Sequence, residues 1–420
     1  MLNTRDTLYS PQDVARILNV AYMTVYRWIQ SGELKAYQIQ KQYRINPTDL
    51  TIFVEKGTGR KLENISSSLS RFIGSGMMDY AYMESRHFPI DLSLGVNPLG
   101  CSPLVTDYYK NKNILFTNYS EVVSTSLRRK IGNRYGFKQN EILLGAGVSD
   151  LLHLCYVSYI NPGEDIVIPE TTFPSFEFLA ILSHGNPKFV PLAQDFDLDY
   201  HELHEAITPS CKLVVLCNPN NPTGRQIDLK KTISIIKKHP KVIFLIDEAN
   251  IDFGGISFIN YVKKYPNLLV FRSFSKGFGL AGLRIGFVAG NKDLVYALQR
   301  RQTPFSVNVF AQKFAEASLD DMEFLKKTGD YARKERKYLE VELTKLGYKF
   351  TVSDSNYLMV DISGKFKSSK DFISTLNKHN ANAVNGDDFR GLNGKYIRLS
   401  PRLHETNKKF IEILSAVSVN

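Results

Sequence analysis

With 420 residues, the chain is too long for one compact core, so two or three domains are expected. Its 43% hydrophobic and 23% charged residues are those of a globular protein, and the net charge of +11 points to an anionic partner or to a lysine-rich solvated surface. Cys101, Cys155, Cys211 and Cys217 form no CxxC pair and no metal-ligand spacing, no apolar run approaches a membrane span, and the opening MLNTRDTLYSPQD lacks a secretory apolar core. A disulfide scaffold, a zinc module and a membrane protein are thereby set aside, and a cytoplasmic location is expected.

The first unit covers residues 1–56. Ser10 caps a helix that starts at Pro11 and turns Val14, Ala15, Ile17 and Leu18 inward. Asn19-Val20 makes a turn, and Val25, Trp28 and Ile29 set the packing stripe of a second helix, leaving Tyr22, Thr24, Tyr26 and Arg27 largely outside it. Gly32 ends that helix. Residues 34–37 and 43–45 then form a hairpin tipped by Gln40-Lys41-Gln42, the pattern of a helix-turn-helix with a basic wing. The stretch YSPQDVARILNVAYMTVYRWIQSGELKAYQIQKQYRI resembles the excisionase-type DNA-binding domains from end to end. The resemblance implies DNA as a possible partner, with Tyr22, Thr24, Arg27, Lys41 and Arg44 as contact residues. A helical appendage that docks on protein is the other reading.

Residues 57–87 read as a Gly/Lys/Ser linker that becomes an apolar arm. From residue 88 short β-branched runs alternate with helical stretches. EDIVIPE, CKLVVLCN, KVIFLIDEA and NLLVFRSFSK each end in polar or turn residues, as strands of a mainly parallel sheet do when their C-terminal ends carry functional groups. The fold class expected is α/β: a large domain over 88–305, to which 306–420 adds a smaller α+β domain.

The strand ends hold the chemistry. Phe271-Arg272-Ser273-Phe274-Ser275-Lys276 leads into Gly277-Phe278-Gly279-Leu280-Ala281-Gly282-Leu283-Arg284. There Ser273 and Arg284 can donate to a phosphate, and Lys276 can condense with an aldehyde. Alone, this could be an ordinary loop. Asn218-Pro219-Asn220-Asn221-Pro222-Thr223-Gly224 follows LVVLC, and Asp247-Glu248-Ala249-Asn250 follows KVIFLI. Asp247 could keep a pyridine nitrogen protonated, as an electron-sink cofactor demands, or it could simply cap a helix.

Together and in this order, NPNNPTG, DEA and SxSK followed by GLRIG resemble the fold-type I pyridoxal-phosphate (PLP) aminotransferases over roughly residues 88–416. The resemblance implies PLP as cofactor, held as a Schiff base by Lys276, with Asp247 on the ring nitrogen, Asn221 at the O3' oxygen, and Ser273 and Arg284 at the phosphate. In LGAGVSDLL, glycines lead into a helix N-terminus suited to an anion. The likeness places Val148 and Ser149 there as phosphate donors, and Phe173 stacked on the cofactor ring. It also implies a homodimer in which Tyr119 reaches the neighbour's phosphate. Arg398, in KYIRLS, would bind the substrate carboxylate with its planar fork, assisted by Asn356.

Within that family the chain resembles histidinol-phosphate aminotransferases and threonine-phosphate decarboxylases. The expected reaction is transfer of an amino group between an amino acid, or an amine derived from one, and a keto-acid acceptor. An α-decarboxylase using the same residues is the alternative, and a PLP-sensing DNA-binding regulator is a third reading. Two positions depart from the pattern. Asn250 stands where the aminotransferases have a tyrosine. Val384 stands at about the place of an arginine for a substrate phosphate, with Asp387 and Asp388 nearby.

Overall fold

A computed structural model describes residues 8–18, 20–39, 42–47, 49–50, 53–54 and 88–417. The chain divides into two compact units, 1–79 and 80–420. The linker and arm expected over 57–87, and Lys41 at the wing tip, lie outside the described residues.

In the first unit, Ser10 and Asp13 cap the helix Pro11–Ile17 reciprocally: Ser10 Oγ accepts from the Asp13 amide, and the Asp13 carboxylate accepts from the Ser10 amide. The second helix is Tyr22–Gln30. Strands β1 (Tyr37–Ile39) and β2 (Gln42–Arg44) pair antiparallel, Tyr37 opposite Arg44. Val14, Ala15, Val25, Leu34, Ile45 and Leu50 form the core, and Trp28 packs its ring 4.8 Å from that of Phe53. Tyr22 and Arg27 are exposed, as expected. Thr24 and Tyr26 are half-buried, and the Tyr26 ring packs edge-on against Tyr43 of the wing at 5.9 Å.

In the second unit the strands are β3 (Ile90–Asp91), β4 (Ile142–Gly145), β5 (Asp165–Pro169), β6 (Asn186–Val190), β7 (Cys211–Cys217), β8 (Ile243–Asp247), β9 (Leu268–Ser273), β10 (Gly286–Ala289), β11 (Lys349–Phe350), β12 (Leu358–Asp361), β13 (Ala381–Asn382), β14 (Val384–Asn385) and β15 (Tyr396–Leu399). A seven-stranded sheet runs β4-β10-β9-β8-β7-β5-β6. Its pairings are parallel except those of β10 with β4 and β9. The central strands are apolar on both faces because helices cover both. Phe244, Ile246, Leu268 and Val270 join one core, whereas Ile243, Leu245, Leu269 and Phe271 join the other. The helix Val148–Tyr159 packs in the second of these, on the parity that Asp247 and Ser273 share.

A four-stranded antiparallel sheet, β11-β12-β15-β14, holds the third core with the helices Met322–Lys345, Ser369–Lys378 and His404–Val417. Strand β3 pairs in parallel with β13, so the start of this unit is stitched to its end. Among the described residues, no helix is long and apolar enough to cross a membrane.

Candidate active site

The site gathers where β7, β8 and β9 end. Asp247 closes β8 inside the core, and its Oδ1 accepts from the Ala249 amide at 2.9 Å. Burial pushes its carboxyl up to about 6, against the pull of that amide and of the Lys276 charge. Asp247 stands opposite Phe271 of β9, and Lys276 follows the end of that strand. Glu248, next in the chain, points to the other side. It approaches Arg272 at 3.8 Å, and Arg272 donates to Asp252 at 2.6 Å. Burial pushes Glu248 up to about 7. This buried group ties the C-terminal ends of β8 and β9 together.

Beyond β9 the chain turns so that the Ser275 amide donates to Ser273 Oγ at 3.0 Å. Asn97 secures the next turn, donating to the Gly277 carbonyl at 2.8 Å and to Thr328 Oγ1 at 2.9 Å. Arg284 adopts a left-handed backbone, φ 53°, and Nη1 reaches Ser275 Oγ at 3.3 Å. Its guanidinium lies over Gly147, where a methyl group would stand 2.5 Å from Nη2. Gly147, at φ 89°, begins the helix Val148–Tyr159, whose first amides have no partner within the helix. A guanidinium and a helix N-terminus thus converge on one small volume. That donor set fits a dianionic phosphate. Val148 is buried and Ser149 is exposed at this end.

After β7, the loop of Asn218 to Gly224 is held from two sides. Asn220 donates to the Thr171 carbonyl at 2.9 Å and accepts from Thr172 at 2.7 Å, which fixes the loop that carries Phe173. Phe173 is half-buried and edge-on to Phe176 at 5.9 Å. Arg398, 1% exposed on β15, donates from Nη1 to Asn221 Oδ1 at 2.7 Å and from Nη2 to the Ser93 carbonyl at 2.9 Å. The arginine expected for substrate thus touches the asparagine expected for cofactor. Asn356 is buried nearby, donating to the Gly95 carbonyl at 3.3 Å and accepting from Ser355.

Tyr119 stands apart from this cluster. It is 84% exposed and stacks on Phe305 at 4.5 Å, in an exposed apolar stretch with Leu115, Phe116 and Val122. Val384 is buried and paired opposite Arg398. Three residues of the site went unmarked in the sequence. Ser275 had a signal, since it lies within SxSK. Asn97 had none, and neither had Tyr357, whose hydroxyl donates to Asn250 Oδ1 at 3.1 Å, because these contacts span 180 and 107 positions of chain.

The aminotransferase class I and II family profile matches residues 89–414, and a helix-turn-helix domain profile matches residues 8–58. Histidinol-phosphate aminotransferase 2 of Carboxydothermus hydrogenoformans is 31% identical over 332 residues, spanning 78% of this chain and 90% of that protein. Histidinol-phosphate aminotransferase of Methanosarcina barkeri is 34% identical over 324 residues, 77% and 87% of the two chains. The solved histidinol-phosphate aminotransferase of Clostridium acetobutylicum superposes with a TM-score of 0.73 at 27% identity, covering 79% of this chain and 99% of that one. That of Sinorhizobium meliloti, in complex with pyridoxal-5'-phosphate, gives 0.77 over 86% and 99%, and at 19% identity it bears on the fold alone.

Proposed function

The chain belongs to the aminotransferase class I and II family, and we propose that it moves the amino group of an amino acid, or of an amine derived from one, to a keto acid, with PLP on Lys276. The observation that carries this reading is the Arg284 guanidinium closing on the helix N-terminus at Gly147, beside Ser275 on the turn that carries Lys276. When bound, the cofactor supplies an electron sink for the bond broken at the substrate Cα. Asp247 would hold the proton on the ring nitrogen. Arg284, Ser273 and the amides at Val148 and Ser149 would hold its phosphate, Phe173 would cover the ring and Asn221 would donate to its phenolic oxygen. With the cofactor bound, Lys276 Nζ would act as general base, taking the proton from the substrate Cα and delivering it to the cofactor carbon C4' rather than back to Cα. Arg398 binds the carboxylate, and Asn356 keeps the adjoining backbone in place.

Val384 offers no charge to a substrate phosphate, and we place the substrate among amino acids without one. The test is a spectral screen of purified protein against the common amino acids and L-histidinol phosphate, with 2-oxoglutarate as acceptor. Bleaching of the visible band with keto-acid formation is expected. Carbon dioxide release instead would overturn transamination, and L-histidinol phosphate outpacing histidine would overturn the substrate assignment.

The raised carboxyl of Asp247 gives a pH prediction. It is ionised above about 6 and neutral below, and only the ionised form pairs with a protonated ring nitrogen. PLP affinity should therefore fall as pH drops through about 6, roughly tenfold per unit. Equilibrium dialysis across pH 5–8 measures it. Asp247→Asn should bind more weakly throughout and lack the step; a step that persists would belong to another group.

Tyr119 and its exposed apolar neighbours support a homodimer in which Tyr119 reaches the phosphate of the second subunit. Light scattering should give twice the chain mass, and Tyr119→Phe should release PLP faster. A monomer that retains PLP fully would contradict this.

The first unit is read as a DNA-binding module. Tyr22 and Arg27 are exposed along the second helix, where such domains contact bases, and Arg44 lies on the wing. Arg44 is half-buried, donating to the Tyr43 carbonyl and to Gln42. Gel shifts should show affinity falling steeply with salt. Arg27→Ala should weaken binding by about 1–3 kcal/mol if it reads a base, and Lys41→Ala should lower the salt slope. If genomic selection enriches no sequence and both variants bind bulk DNA like the parent, the unit is a protein-docking module.

A further inference from the structure

Tyr357 bridges the two sheets of the second unit. It is 2% exposed, it precedes β12 of the smaller sheet, and its hydroxyl lies 3.1 Å from Oδ1 of Asn250, which follows β8 of the larger sheet. Asn250 is itself buried. The guanidinium carbon of Arg398 stands 4.4 Å from the Tyr357 ring centroid. Room for the phenol exists because residue 95 is glycine: a methyl group there would lie 2.6 Å from the hydroxyl and 2.7 Å from Cε1.

We infer that Tyr357 is a positioning residue for the cofactor, orienting the amide of Asn250 so that its NH2 serves as a second donor to the phenolic oxygen beside that of Asn221. The inference rests on the cofactor reading given above. Arginine has donors and no acceptor, so its bond to Asn221 fixes that side chain with the oxygen towards Arg398 and the NH2 away. The hydroxyl of Tyr357, donating to Asn250 Oδ1, does the same for the second asparagine. One aromatic ring, under Arg398 and against Asn250, is therefore common to both amides. Filling the core would need only the ring, as phenylalanine would supply it. The hydroxyl adds the orientation. It also restores a polar donor next to position 250, where the family resemblance leads one to expect a tyrosine.

Donors aimed at a phenolate stabilise its negative charge, so losing one makes the bound chromophore easier to protonate. The experiment is a spectral pH titration of the PLP-loaded full-length protein. In Tyr357→Phe the ring stays under Arg398 and only the hydroxyl goes; the midpoint of the visible band should rise by about one pH unit. Asn250→Ala should do the same, and the double variant should match Asn250→Ala alone, because the hydroxyl acts through Asn250. Gly95→Ala keeps both groups and crowds the phenol, and should also raise the midpoint; with Asn250→Ala it decides the matter if Tyr357→Phe fails to fold. Midpoints unchanged in these variants while the band persists would overturn the inference, and so would additive shifts. A parent protein with no visible band would overturn the cofactor reading itself, and this inference with it.

Discussion

Replacing Lys276 by alanine is expected to lower turnover by roughly three to four orders of magnitude. In the proposed function the amine is both the attachment point and the base, so these roles should fail together. Thr328 and Asn97 fasten the turn after it from the backbone side, so the substitution should leave the fold in place. Borohydride reduction of the parent followed by peptide mapping should put the pyridoxyl label on Lys276 and on no other lysine. The alanine variant should retain phosphate-bound PLP without a reducible link. A label elsewhere, or residual turnover within tenfold of the parent, would move the chemistry to a different lysine.

Arg398→Leu should cost amino-acid substrates about 3 kcal/mol in kcat/KM, within the range seen when one partner of a buried charge contact is removed. The loss should fall selectively. An amine of the same side chain without a carboxylate has nothing to lose at this position, so its rate should change far less. Equal losses for both substrates would mean that Arg398 supports the fold or Asn221 rather than the carboxylate. The comparison separates the two roles, since Arg398 contacts Asn221 and the Ser93 carbonyl.

Much of this architecture is legible in the sequence because the strands are short, apolar on both faces and punctuated at their C-terminal ends. KVIFLI followed by Asp247, and LLVFRS leading to Lys276, mark the strands and the groups they deliver, and β8 and β9 pair as those runs require. The helix-turn-helix was equally readable, down to the cap of Ser10. What stayed hidden depends on approach in space. Nothing near Tyr357 in the chain signals Asn250, and the glycine that admits its ring lies 262 positions earlier, 357 − 95. The half-burial of Tyr26 escaped for the same reason: helical spacing places it outward, and the ring of Tyr43 then folds over it. Helix periodicity describes one element, whereas burial is set by its neighbours.

The pairing of β3 with β13 also bears on how this polypeptide comes off the ribosome. Ile90 meets Ala381 across 291 positions, 381 − 90, and the third core takes Leu92 together with Leu399 and Phe410. The seven-stranded sheet is complete in sequence by Ala289, so it can consolidate while synthesis continues, at about 5–20 residues per second. The segment around Ile90 must wait for the last tenth of the chain with its edge unpaired. Nascent chains stalled before Ala381 should therefore hold a protease-resistant centre and a cleavable start, and a chaperone that shields extended apolar segments would have its opportunity in that interval.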